Sequence, residues 1–254
     1  TNDLLKKTRK FNTFSSFFTA ANFLDYGSNL QVVRVATGNL NSSASGSGIL
    51  VKNTTDWTTK TSALNSGNHF YIGRYPGTLG NSIRVSQCQN AAAFSASNVT
   101  TTTQNNSAGA TSVVVVAGNT LAIGDLITFA GHTTKYEITN ISTNTLTIRE
   151  KGKTTGLTVA VDGSSTPVQV SREWYYADQF DAAPGTSAQA TARSGSGDEI
   201  HLIVVDEDGL WTGTAGTILE KYSNLSVASD AKSSNGSVNF YKDCLLYTSP
   251  SPRD

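Results

Sequence analysis

Three histidines, His69, His132 and His201, are the side chains from which a hydrolytic triad would have to draw its base. Such a triad also needs a nucleophile beside the base and a carboxylate to orient it, and none of the three lies in a motif such as Gly-x-Ser-x-Gly. His201 sits beside Leu202 in an apolar run and His132 in a Gly-His-Thr-Thr turn, so all three read as structural. Five carboxylates, Asp198, Glu199, Asp206, Glu207 and Asp208, are the material from which a calcium loop could be made. The run Asp206-Glu207-Asp208-Gly209 lacks the later ligand positions and the bidentate Glu of an EF-hand. Asp-Gly is a favoured hairpin dipeptide, and the run reads as a turn. Gly213-Thr214-Ala215-Gly216 and Gly46-Ser47-Gly48 match neither phosphate-binding glycine pattern and have no helix start behind them. No catalytic, cofactor-binding or metal-ligating residue is assigned, no cofactor is implied, and an enzyme is not expected.

The remaining reactive types are sparse. Cys88 and Cys244 allow at most one bridge, which makes no disulfide framework and fits no zinc spacing. Asn41, Asn53, Asn98 and Asn105 each head an Asn-x-Ser/Thr triplet, but a chain this rich in Asn, Ser and Thr produces them by chance. Trp174, Tyr175 and Tyr176 could offer an aromatic platform to a sugar or a protein; a core or interdomain contact is the stronger reading, since aromatics pack more often than they stand exposed. Nineteen basic residues balance nineteen acidic ones, so no basic field exists to hold a polyanion and nucleic-acid binding has no support. Charged residues make up 15% of the chain, against roughly 25% in an average soluble domain, and Ser, Thr and Asn fill the deficit. The longest aliphatic stretch, residues 113–117, is far short of the ~20 residues of a membrane helix, so no membrane insertion is expected.

The elements that would position these groups begin with Phe14, Phe17, Phe18, Ala21 and Leu24, whose spacing predicts an amphipathic helix stopped at Gly27. Residues 30–35 then read as a buried strand, 49–52 as a short one and 69–74 as another. Tyr75-Pro76-Gly77-Thr78 reads as a type II turn, and residues 82–86 alternate as a half-buried strand. From about residue 98 the helical signal vanishes, and short β runs follow at 112–116, 126–129, 135–141, 145–148 and 158–161. Five such runs predict a small all-β barrel or sandwich, inserted at residues 98–168. Residues 200–205 are the strongest strand of the sequence, with 217–222 placed to return as its hairpin partner.

Three stretches, in order, carry a resemblance. They are Phe17-Phe18-Thr19-Ala20-Ala21-Asn22-Phe23-Leu24-Asp25-Tyr26-Gly27-Ser28-Asn29-Leu30-Gln31-Val32-Val33-Arg34-Val35, then Arg74-Tyr75-Pro76-Gly77-Thr78-Leu79-Gly80-Asn81-Ser82-Ile83-Arg84-Val85, then Ile203-Val204-Val205-Asp206-Glu207-Asp208-Gly209 with Asn239-Phe240-Tyr241-Lys242-Asp243. Together they cover less than half the chain, and they resemble the tail sheath proteins of contractile-tailed bacteriophages. The first is similar to that family's early helix with its Tyr-Gly stop and Val-Val-Arg strand. The second, the most specific, is similar to its Pro-Gly-x-Leu-Gly turn, and the third to a hairpin and its following connection. The resemblance implies a structural subunit that forms stacked homo-oligomeric rings around a tail tube protein and contracts to drive the tube into the host envelope. It implies baseplate and tail terminator proteins as further partners, a place in the virion tail, and the host cytoplasm during assembly. Neighbouring subunits would be joined by strands lent from terminal arms, through heterologous contacts. The family has no catalytic residue to carry over.

The fold expected is α+β and predominantly β: a mixed α/β sheath-like domain in residues 1–97 and 169–243, interrupted by the small all-β domain at 98–168. Residues 244–254 depart from the family, which would continue into a Val-Ile-Asn type segment. Cys244-Leu245-Leu246-Tyr247-Thr248-Ser249-Pro250-Ser251-Pro252-Arg253-Asp254 resembles the in-frame translation of a transposase adapter used in sequencing libraries. The sequence begins Thr1-Asn2-Asp3 and has no methionine, so a fragment is expected. A secreted or virion-surface carbohydrate-binding β protein is the alternative, motivated by the Ser/Thr/Asn-rich surface and Trp174 to Tyr176; a hydrolase stands third, for want of a motif. Amplifying the source DNA across the codons for Asp243 onward should give a reading frame that diverges from these eleven residues; independent clones carrying the same eleven codons would defeat the adapter reading.

Overall fold

The computed structural model describes residues 14–31, 41–43, 49–50, 55–56, 59, 71–73, 77–163 and 165–248. The chain divides into two compact units, the first drawn mainly from residues 1–80 and the second from 81–249. In the first, Phe14–Tyr26 forms helix α1, closed where the Gly27 N–H donates to the Phe23 carbonyl at 2.8 Å. Of the predicted apolar stripe, Phe18 and Leu24 are about half exposed. Strands β1 (Asn41–Ser42) and β2 (Ile49–Leu50) pair antiparallel, and the Gly73 N–H donates to the Ser43 carbonyl at 2.6 Å. Most of the strands expected at 30–35 and 69–74, residues 51–52 and the Tyr75-Pro76 half of the turn lie outside the described residues.

The second unit is built on two antiparallel sheets. The larger runs from Ser95 to Trp174: β4 (Ser95–Thr101), β5 (Ser112–Val114), β6 (Asp125–Phe129), β7 (Tyr136–Ser142), β8 (Thr145–Glu150) and β9 (Gln169–Trp174), in the order β4-β9-β6-β7-β8-β5. Its outer strands meet just beyond their ends. Thr102 and Val115 form an antiparallel bridge, the Val116 N–H donates to the Thr101 carbonyl and the Thr103 N–H to the Val114 carbonyl, each at 3.0 Å. These bonds close the sheet into a six-stranded barrel, which satisfies the edges an open sheet would leave.

The barrel's interior follows from period-2 alternation. Val113, Ile127, Phe129, Tyr136, Ile138, Leu146, Ile148 and Val170 project inward and are fully buried, joined by Val115, Leu157 and Val161. A buried phenol needs a partner, and Tyr136 has two: its Oη lies 2.8 Å from Thr158 Oγ1 and accepts the Thr158 N–H at 3.0 Å. The run predicted as a strand at 158–161 is not one. It forms a floor instead, bonded through Leu157 to Gly109 and Ala110 and through Val161 to Asn106, with one bridge between Asn106 and Val161. Sequence patterning mistook it because Thr and Val favour extended backbone whether or not a ladder forms.

The smaller sheet has the order β11-β10-β3, with β3 at Ile83–Cys88, β10 at Glu199–Asp206 and β11 at Thr217–Ser226. Its central strand, β10, is buried on both faces from Ile200 to Asp206, which is why its sequence shows a continuous apolar run rather than alternation. The chain thus leaves this sheet after β3, builds the barrel and returns to the same sheet at β10. Short helices make the joins. Ala91–Phe94 (α2) is capped by the Asn90 side chain, which accepts the Ala93 N–H at 2.8 Å; Ala188–Ala192 (α3) is capped in the same way by Ser187 at 3.1 Å. Tyr241–Thr248 (α4) is the last described element.

Gly156 shows how tightly the floor is fitted: a Cβ there would stand 2.2 Å from the Ala110 carbonyl oxygen, a backbone atom that cannot swing aside. Gly156→Ala should therefore lower stability by about 1–3 kcal/mol, measured by denaturant unfolding. An unchanged midpoint would show that the floor is loosely packed.

Candidate functional site

Trp174, the last residue of β9, does not present a platform: it is only 5% exposed. Its Nε1–H donates to Ser86 Oγ on β3 at 2.9 Å, and its ring meets those of Tyr176, Phe180 and His201 at centroid distances of 5.8, 5.3 and 6.5 Å. With Cys88, Ala177, Ile203 and Val205 it forms the core between barrel and sheet. Tyr175 and Tyr176 are half-buried beside it, and Lys151 Nζ lies 5.0 Å from the Tyr175 ring centre.

His201 is buried in the same cluster, its ring stacked on Phe180 at 4.4 Å and 5°. The backbone N–H of Asn224 can only donate, so Nδ1 accepts it, at 3.1 Å, and Nε2 carries the proton that goes to the Ala182 carbonyl at 2.8 Å. A bulge in β11 makes this possible: the β10–β11 register shifts between Ile200 and Leu202, and Asn224 takes a φ of 53° there. Both ring nitrogens are thus committed to the backbone, which leaves none to serve a substrate. His132 packs edge-on against Phe129 in a turn, and His69 lies outside the described residues.

The five carboxylates considered for calcium are divided by β10. Asp198 and Glu199 stand at its start and Asp206, Glu207 and Asp208 at its end, so about 3.3 Å per residue puts roughly 25 Å between the groups. Among the described residues no three of His, Cys, Asp and Glu converge where they could hold a metal ion. The expected Asp-Gly hairpin is also corrected: β10 and β11 do pair, but a loop of residues 207–216 joins them, organised around the side chain of Asp206. Asp206 Oδ1 accepts the Ser82 hydroxyl at 2.5 Å; Oδ2 accepts the Trp211 and Thr212 N–H groups at 3.0 and 2.8 Å and the Thr212 hydroxyl at 2.9 Å. Ser82 Oγ in turn accepts the Asp208 N–H at 3.1 Å, and the Glu207 N–H donates to the Ser82 carbonyl at 2.7 Å. Burial alone would push the Asp206 carboxyl up, but the hydrogen bonds from Ser82, Thr212 and Trp211 outweigh it and hold the pKa down to about 2.

Asp198 repeats the device at the other end of the strand: it accepts the Ser187 N–H and hydroxyl at 2.8 and 2.7 Å and the Ser226 hydroxyl at 2.6 Å. Burial raises its pKa, and these bonds bring it below the ordinary value. At the barrel mouth Arg172 and Asp125 form a buried ion pair at 2.8 Å, and Arg172 also donates to the Thr120 carbonyl at 2.7 Å. Burial raises the Asp125 pKa against the Ala122 N–H and the Arg172 charge. Cys88 is a free thiol pushed up to about 11 by burial, so it is not a reactive nucleophile, and Cys244 is likewise unbridged. None of these pairings was legible in the sequence: Ser82 and Asp206 are separated by more than a hundred residues, and nothing in the stretch around either marks the other as its partner.

The described residues therefore define a mainly β protein whose polar groups are spent on holding loops and joining layers. Compared with known proteins, the chain is similar to a tail sheath protein of Salmonella phage ViI, 29% identical over 265 aligned residues. The alignment takes in 97% of this chain and 41% of that protein, so the chain spans about two fifths of the length of the curated relative it matches. No protein-family model matches the chain. No solved structure matches it either. The similarity supports a relationship to tail sheath proteins.

Asp206 also dictates an acid response. Its pKa is lowered on folding, from about 3.9 in an unfolded chain to about 2, so its contribution to stability is present above about pH 4 and lost as pH falls towards 2. Asp206→Asn should lower the thermal midpoint at neutral pH and flatten the fall in stability between pH 4 and 2; an acid profile identical to that of the unaltered chain would refute the role.

Proposed function

We propose that this chain is part of a phage tail sheath subunit, a structural protein of the virion tail with no catalytic role. The similarity to the Salmonella phage ViI tail sheath protein, running through almost the whole chain, carries this reading. In the finer reading, full-length subunits assemble with one another as rings around the tail tube protein, between baseplate and terminator, and contraction drives the tube into the host envelope; assembly begins in the host cytoplasm. The inserted domain of this scheme, expected at residues 98–168, corresponds to the barrel running from Ser95 to Trp174, and the pairing of β3 with β10 across it supports the arrangement. The topology also favours one kind of contact. The barrel has no edge to offer, whereas β11, ten residues long and bridged at its Ser226 end to Phe240, is an outer strand of the smaller sheet among the described residues and suits strand addition by a neighbour's arm.

The burial of Trp174 removes the main motive for the carbohydrate-binding alternative. Co-expression of the full-length gene with its neighbouring tail-tube gene should give tubes or stacked rings by negative-stain electron microscopy. A soluble monomer retained on a glycan array would overturn the proposal.

A further inference from the structure

The one Asn-Gly dipeptide of the sequence, Asn235-Gly236, lies in a loop closed by the bridge between Lys232 and Val238. The side-chain oxygen of Asn235 accepts three hydrogen bonds, from Ser233 Oγ at 2.5 Å, Ser237 Oγ at 2.6 Å and the Ser237 N–H at 3.0 Å. The Ser237 N–H can only donate, which fixes the amide with its oxygen, not its nitrogen, in this nest. Gly236 has a φ of 84° and nothing within 4 Å of where a Cβ would stand, and Asn235, Gly236 and Ser237 are all exposed.

We propose that Asn235 is a site of self-catalysed deamidation. The Gly236 backbone nitrogen, on giving its proton to hydroxide, attacks Cγ of Asn235. The carbonyl electron pair moves onto Oδ1; it returns as the Cγ–Nδ2 bond breaks, and the leaving nitrogen takes a proton from water and departs as ammonia. Water then adds to either carbonyl of the resulting succinimide and opens it, leaving aspartate or isoaspartate. The three donors stand where negative charge develops in the first step, the arrangement of an oxyanion hole. Two features oppose the reaction: the Gly236 N–H donates to the Ser233 carbonyl at 2.9 Å and must be released, and the Ser233 and Ser237 hydroxyls lie 2.6 Å apart, so each other's oxygen competes with Asn235 for their protons. A single N–H bond at an exposed loop is readily exchanged for water, and the hydroxyl protons turn to Asn235 as negative charge develops there, beside the Ser237 N–H. The product carries a carboxylate where the loop now holds a neutral amide, and isoaspartate would add a backbone carbon inside a loop that the Asn239 N–H ties to the Ala231 carbonyl at 2.9 Å.

The test is incubation of the intact chain at mildly alkaline pH, with peptide mass spectrometry reading the one-dalton gain at Asn235 and isoaspartate detected enzymatically. Asn235 should react faster in the folded chain than in urea. Ser233→Ala and Ser237→Ala should each slow it by roughly three- to tenfold, less than the ~100-fold cost of losing a buried oxyanion donor because water can replace them. Faster reaction in urea, or acceleration by either serine substitution, would show that the nest protects Asn235 and would overturn the proposal. The comparison of folded with urea-unfolded chain needs no variant and stands even if the substitutions disturb folding.

Discussion

The indole of Trp174 belongs to two structures at once. It ends barrel strand β9, in register with Asp125 of β6, and its Nε1–H is bonded to Ser86 of β3 in the neighbouring sheet. A buried Trp withdraws about 150–250 Å² from water, a gross gain on the order of 4–6 kcal/mol at about 25 cal/mol per Å². A three-stranded sheet cannot bury a face alone, and layers must pack in pairs. Trp174, with Phe180 and Phe94, supplies the missing layer for β3 and β10. The state of His201 follows: enclosed by Phe94, Trp174 and Phe180, its two nitrogens find only backbone partners, one of them provided by the bulge at Asn224.

The two sheets solve the edge problem in opposite ways. The barrel closes through Thr102 and Val115, and its polar outer positions are taken up in pairs such as Arg149 with Glu137 and Lys135 with Glu173. Such pairs add little stability at a surface. Among the described residues the smaller sheet has β11 and β3 as its outer strands, and only the Ser226 end of β11 is bridged further, to Phe240. If neighbouring chains join through backbone pairing, the capacity lies in this sheet and not in the barrel.

What the sequence made legible was local. The helix at Phe14–Tyr26, the alternation of β8 and the unbroken apolar run of β10 all write their period directly into residue types. The mainly β character of the chain was legible for the same reason. Strand β4, with the polar sequence Ser-Ala-Ser-Asn-Val-Thr-Thr, was not, because one face is solvated, a register shift near Asn98 breaks its period and its membership is decided by pairing with β9. The turn placed at residues 206–209 is part of a longer loop, 207–216, because Asp-Gly is a local signal, whereas the loop's shape depends on a carboxylate outside it bonding to Ser82. Barrel closure, the Arg172–Asp125 pair and the Trp174 joint are tertiary facts of the same kind, and no window of sequence contains both partners.

Two of the stretches that resemble sheath proteins acquire a shared physical meaning in the fold. One ends in Ser82-Ile83-Arg84-Val85 and the other begins Ile203-Val204-Val205-Asp206, and in the structure they are neighbours: Ile83 pairs with Asp206, Arg84 with Val205 and Val85 with Val204. Ser82 seals the end of that ladder through the Asp206 carboxylate, and Arg84 reaches Glu207 at 3.0 Å just beyond it. The chain between them carries the barrel, and the similarity to the Salmonella phage ViI protein, which takes in 97% of this chain, runs through it as well. A ladder whose two strands are distant in sequence constrains both at once, since a residue that fails to fill or pair on one strand exposes its partner on the other. The barrel makes the same demand on itself, through ladders such as those of β9 with β4 and β6, and Trp174 ties it to this sheet.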